Sequence, residues 1–150
     1  MGKVRLFLSL SFLVLLTACY GGRQENYYQS YVDAAASDNL VALNQGDKPE
    51  VIFSENIEAD KEKYKAQGFV IVGESSFENR EQYRSIKRKH DSHVARAVGQ
   101  AMRVSATHVL YNRTKVNEYI STAFSKIDGH KISHYEEYQN HSVYLVKNKI

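Results

Sequence analysis

The chain has 150 residues, 43% of them hydrophobic and 25% charged, with 8 glycines and one proline. That is the composition of one globular domain, not of a disordered or collagen-like chain. The single cysteine, Cys19, excludes an internal disulfide and any cysteine-based zinc site within one chain, and a near balance of 20 Lys and Arg against 17 Asp and Glu (18 against 17 once Lys3 and Arg5 are set aside) gives no overall electrostatic case for nucleic acid.

The first element is an address. Lys3 and Arg5 make a positive start, and Leu6 to Leu16 is an apolar run broken only by Ser9 and Ser11. This is the layout of a secretory signal peptide, too short to span a bilayer comfortably. Leu16-Thr17-Ala18-Cys19 resembles the lipobox of bacterial lipoproteins. The resemblance implies that the Cys19 thiol receives a diacylglycerol, that a peptidase cuts just before it, and that the new amine is acylated, palmitate being a typical chain. Two or more chains hold a protein firmly on a membrane. In that family an Asp after the cysteine favours the inner membrane. Tyr20 stands there, which implies the outer membrane, facing the periplasm, in a cell that has one.

Residues 1–18 therefore read as a signal peptide, 19–48 as a lipidated tether and 49–150 as a single α+β domain. The tether begins with Gly21-Gly22 and contains only a weak helical pattern between Tyr28 and Leu43. The domain opens at Pro49 with a short strand, Val51-Ile52-Phe53. Asn56 is placed to cap a helix over 57–67, with Glu58 and Asp60 in its first turn and Gly68 just past its end. Phe69-Val70-Ile71-Val72 reads as a central strand buried on both faces, and Gly73 to Phe77 as a turn.

A long helix is predicted over 78–104. Tyr83, Ile86, His90, Val94, Ala97, Val98 and Ala101 recur at steps of three and four, and Ser105-Ala106 ends the pattern. Val109 and Leu110 open a strand reaching about Tyr119, followed by a segment rich in Ser, Thr and aromatic residues. Asp128-Gly129 signals a type I′ hairpin turn. Lys131 to Tyr138 would return, and Ser142 to Val146 is the last strand. The order predicts an α+β fold, a mainly antiparallel sheet packed against one long helix plus a shorter helix.

Several of these pieces, in this order, resemble a group of small uncharacterised bacterial envelope lipoproteins. They are the glycine-aromatic strand Gly68 to Val72 running into Gly73-Glu74-Ser75-Ser76-Phe77, the helix end and strand start from Gln100 to Leu110, the Ser/Thr/Tyr-rich hairpin, and the closing strand from His134 to Lys147. Where that group carries Gly-Ala-Asp after the long helix, this chain has Ser105-Ala106-Thr107. The resemblance covers roughly 48–147 and implies fold and location, not an activity.

Gly73-x-Ser75-x-Phe77 lies where a hydrolase would carry its nucleophile elbow, with Asp91 or Asp128 and His130, His134 or His141 downstream. Phe77 occupies the position of the elbow's second glycine, and Ser75 with Glu78 also fits a helix capping box. Of the six histidines, His90 and His93 are one helical turn apart around Asp91. His130 and His134 would stand about 13 Å apart on a strand, too far to share one ion. The basic helix residues Arg80, Arg84, Lys87, Arg88, Lys89, Arg96 and Arg103 fit a solvated face or a contact for anionic headgroups, and the eleven tyrosines fit alternate sheet faces or a sugar- or protein-binding surface. The expected function is that of a membrane-anchored envelope lipoprotein acting as a binding or structural module. It would have no catalysis of its own, no cofactor and no metal, and its partners would be an envelope protein or polysaccharide. The alternative is a small hydrolase or metal-dependent enzyme using Ser75 or the histidines.

Overall fold

The computed structural model describes residues 27–127 and 129–149. The signal peptide, Cys19 and Asp128 lie outside them. In chain order the elements are β1 (Tyr28–Ser30), β2 (Leu40–Val41), β3 (Glu50–Phe53), α1 (Ile57–Ala66), β4 (Phe69–Gln82), a 3₁₀ turn (Tyr83–Ser85), α2 (Ile86–Arg103), β5 (His108–Ser125) and β6 (Gly129–Asn148). The six strands form one mixed sheet in the order β1-β4-β6-β5-β3, with β2 also on β6. All neighbours are antiparallel except β3 and β5. The fold is α+β.

Both helices start and stop for local reasons. Asn56 Oδ1 accepts from the Ala59 amide at 3.1 Å, Glu58 and Asp60 occupy the first turn of α1, and Gly68 takes φ +85° just beyond it. The end of α2 is a Schellman turn. Ala106 N–H donates to Ala101 O at 2.8 Å, Ser105 N–H to Met102 O at 3.3 Å, and Ser105 itself sits at φ +55°.

The helices lie on opposite faces of the sheet, and strand alternation divides the core between them. Val72, Val109, Tyr111, Tyr144 and Val146 pack with Ala97 and Ala101 of α2, along with Val70 and Val94. Leu110, Val143 and Leu145 pack on the other face with Ile57 and Tyr64 of α1 and with Phe69 and Ile71. Runs such as Val143-Tyr144-Leu145-Val146 are apolar at every position because both sides are covered. Among the described residues no helix is long and apolar enough to cross a membrane.

Four expectations are corrected. The segment over 73–77 is not a turn, and the long helix does not begin at Glu78. β4 runs on to Gln82, in register with β6 from Gly73↔Tyr144 to Gln82↔Tyr135, with one bulge between Ile71 and Gly73. Glu78, Arg80, Glu81 and Gln82 favour helix locally, but thirteen paired positions on β6 override that preference. The tether does not extend to residue 48. β1 pairs with β4, β2 pairs with β6, and Ala34 and Leu40 are buried in the α2-side core. The weak helical pattern of 28–43 gives no helix.

Candidate functional site

Polar side chains concentrate where β4 passes into α2. Strand alternation turns Ser75, Phe77, Asn79 and Glu81 of β4 toward α2, and all four are buried. Glu81 is the hub. Its Oε1 accepts from His93 Nε2 of α2 at 3.1 Å and from Asn79 Nδ2 at 2.5 Å, and its Oε2 accepts from an Arg113 terminal nitrogen of β5 at 2.5 Å. The side chains of Glu81, His93 and Arg113 are 1%, 6% and 7% exposed, so the carboxylate is held in a dry site by one charged and two neutral donors. Asn140 continues the cluster, donating to Asn79 Oδ1 at 2.5 Å and accepting from Tyr111 Oη at 3.0 Å. Burial pushes the Tyr111 hydroxyl up to about 12. Burial also holds His93 below the ordinary histidine range, although Glu81 pulls the other way.

From this hub a polar ladder runs out along β5 and β6. The Arg113 guanidinium lies 3.8 Å from the centre of the Tyr138 ring. Tyr138 donates to Glu136, Lys115 bridges Glu136 at 2.9 Å and Glu118, and Glu118 meets His134. Burial and the neighbouring Glu136 carboxylate push Tyr138 up to about 12.

Beside the hub lies an open groove of about 680 Å³, lined by Arg80, Glu81, Arg84, Arg88, Lys89 and Tyr135, among others. Arg80 is occupied by Tyr119, its guanidinium 4.2 Å from the ring centre. Among the described residues Arg84, Arg88 and Lys89 form no ion pair. The groove is lined by the cations Arg84, Arg88 and Lys89 and by the buried Glu81 carboxylate.

The residues singled out in the sequence are placed differently. Ser75 lies in mid-strand, 1% exposed, with its Oγ 3.3 Å from Tyr144 Oη. It caps no helix, and the strand-to-helix bend that a nucleophile elbow requires is absent at 73–77. The histidines are dispersed. His90 packs on Phe53 and Tyr111, His108 meets Glu50 at 3.3 Å and the Phe69 ring, and His141 meets Glu74 at 2.7 Å. His130 packs on Phe124, while His134 stacks on Tyr83. Among the described residues no three His, Cys, Asp or Glu side chains gather as a metal site. The hub residues Glu81, Arg113, Asn79 and Asn140 carried no signal in the sequence: ending β4 at Val72 puts Asn79 and Glu81 on a helix, and nothing local to Arg113 or Asn140 marks them as their partners.

The chain matches no protein-family profile, and no curated protein and no solved structure matches it significantly.

Proposed function

We propose that the chain is a lipid-anchored protein of the bacterial cell envelope whose folded domain is a binding module, with the cationic groove over Arg84, Arg88 and Lys89 as its contact surface for an acidic partner in the envelope. The observation that carries the anchor is the order of features at the N-terminus: a basic start, an apolar run and Leu16-Thr17-Ala18-Cys19. The groove supports the binding role because Arg84, Arg88 and Lys89 form no ion pair among the described residues while the adjacent Glu81 carboxylate is fully engaged. The alternative use of Ser75 is less well supported, since a substrate would have to reach a side chain buried in mid-strand.

The test has two parts. Intact-mass measurement of the protein extracted from bacterial membranes is expected to show a chain beginning at an acylated Cys19, and Cys19→Ala is expected to leave an uncut precursor. An unacylated mature protein overturns the anchor. Cross-linking of the lipidated protein in intact cells is expected to trap an envelope component that Arg88→Glu with Lys89→Glu no longer traps. A partner retained at full yield by that double variant removes the groove from the reading.

A further inference from the structure

The sheet continues past its helices. β4 ends at Gln82, opposite Tyr135. Beyond that level β5 and β6 go on alone as a two-stranded arm, residues 119–125 and 129–135. Cross-strand pairing puts Ile120 with His134, Thr122 with Ile132 and Phe124 with His130 on one side of the arm. Unbroken alternation along β6 from Tyr144 makes this the side that carries α2. Ile120 is 68% exposed, and Phe124 and Ile132 are each 70% exposed. Tyr83, itself 62% exposed, stacks on His134 at the foot of the arm. Two strands with a bare apolar side are marginal in water, and such a patch marks a contact surface.

Two observations say what covers it. The first is charge. Arg84 lines the same hollow of about 190 Å³ as Tyr83 and Ile132, and it forms no ion pair among the described residues. Apolar side chains bordered by a cation fit a surface that is hydrocarbon beneath and anionic above. The second is direction. β1 is antiparallel to β4, with Tyr28 opposite Ser75 and Ser30 opposite Gly73, so the chain enters the fold at Tyr27 from the arm's end of the sheet. Cys19 lies eight residues earlier, at most about 28 Å of extended chain. From the level of Tyr27 the arm reaches about 40 Å in the same direction. A bilayer that holds Cys19 on the arm's end of the sheet lies within the reach of the arm.

We propose that the apolar side of the arm docks on an anionic phospholipid bilayer, with Ile120, Phe124 and Ile132 in the interface and Arg84 against the phosphates. The directional argument rests on the anchor reading; the charge argument does not.

The experiment separates the two. The chain from Tyr20 onward contains every strand and helix described and lacks the lipidated cysteine. It is expected to co-sediment with phosphatidylcholine vesicles containing one quarter phosphatidylglycerol. Removing the phosphatidylglycerol should weaken binding by roughly fivefold, since a cation near such a surface contributes a factor of about five. Phe124→Asp with Ile132→Asp should weaken it by about tenfold or more while leaving the melting temperature unchanged, because both positions are exposed. In the full lipidated protein reconstituted into the same vesicles, a polarity-sensitive fluorophore on Phe124→Cys should shift to the blue, and one on Glu62→Cys in α1 should not. A wild-type chain that stays in the supernatant overturns the proposal. So does equal binding by the double Asp variant, or a dimer in sedimentation velocity that the same substitutions dissociate. Acylation of Cys19 is read independently by mass, so failure of the arm and failure of the anchor are distinguishable.

Discussion

At the residue scale the molecule turns on one carboxylate. Glu81 is taken out of water where α2 crosses the sheet, and its cost is offset by Arg113, His93 and Asn79. Removing the cation leaves the charge stranded. Arg113→Ala is therefore expected to lower stability by about 3–5 kcal/mol in urea unfolding, and Arg113→Met with Glu81→Leu by less than the single change. A loss under about 1 kcal/mol for Arg113→Ala would mean that the Glu81–Arg113 pair does not hold this part of the fold together. His93 adds a pH dependence. Burial lowers its folded-state pKa below the unfolded value of about 6.5, so the unfolded chain binds the proton more readily. Its stabilising contribution is complete above about pH 6.5 and is lost as pH falls through the lowered folded value. His90, lowered by burial and by Arg113, has the same sign. Unfolding free energy measured between pH 7 and pH 5 should fall with pH, and His93→Gln should flatten that slope. An unchanged slope would place the titration elsewhere.

At the scale of elements, the parts that were legible in the sequence are those set by local chemistry or unbroken apolar patterning. Asn56 and Gly68 bound α1 as their side-chain chemistry dictates. Ala97 and Ala101 of α2 pack on Val70, Val72, Val109 and Tyr144, and their helical spacing places them on the buried face. What was not legible depends on partners distant in the chain. The second half of β4 is polar at every exposed position and holds Ser75, Asn79 and Glu81 inward. Only pairing with β6, more than fifty residues away, makes it a strand. Ser105 is the opposite case, a local feature with a local cost. It occupies the left-handed position that ends α2, at φ +55°. Its carbonyl still accepts from Leu43 N–H at 2.9 Å, a bond that needs no side chain. Ser105→Gly is expected to raise stability by about 0.5–1 kcal/mol, seen as a higher urea midpoint at constant slope. A lower midpoint would show that the Ser105 side chain is worth more than the strain it carries.

For the whole molecule, the question is where the folded unit begins. Pro49 precedes the first obvious apolar run, yet the sheet is finished by residues before it. Tyr31 and Val32 donate to Val72 O at 2.9 and 3.2 Å, and Asn39 O accepts from Lys149 N–H at 2.8 Å. Tyr28 lies edge-on to Tyr144 and donates to Val72 O at 3.2 Å, filling the space that the absent side chain of Gly73 leaves open. Leu40 is 5% and Ala34 1% exposed. A chain starting at Pro49 loses all of this and bares Val72 and Tyr144 to water. Full burial of a leucine side chain alone contributes about 1.5–3 kcal/mol. Such a chain should be less stable by at least about 3 kcal/mol, lowering its melting midpoint by roughly 10 °C or more. A chain starting at Tyr27 keeps each of these contacts and should melt with the full-length protein. If the Pro49 chain melts with the full protein instead, β1 and β2 contribute no stability and the boundary belongs at 49. The placement also fixes how far the folded unit stands from Cys19: eight residues separate that cysteine from Tyr27, against thirty to Pro49. The connecting chain is a short leash, and what it is joined to sets how closely the arm's end of the sheet is held.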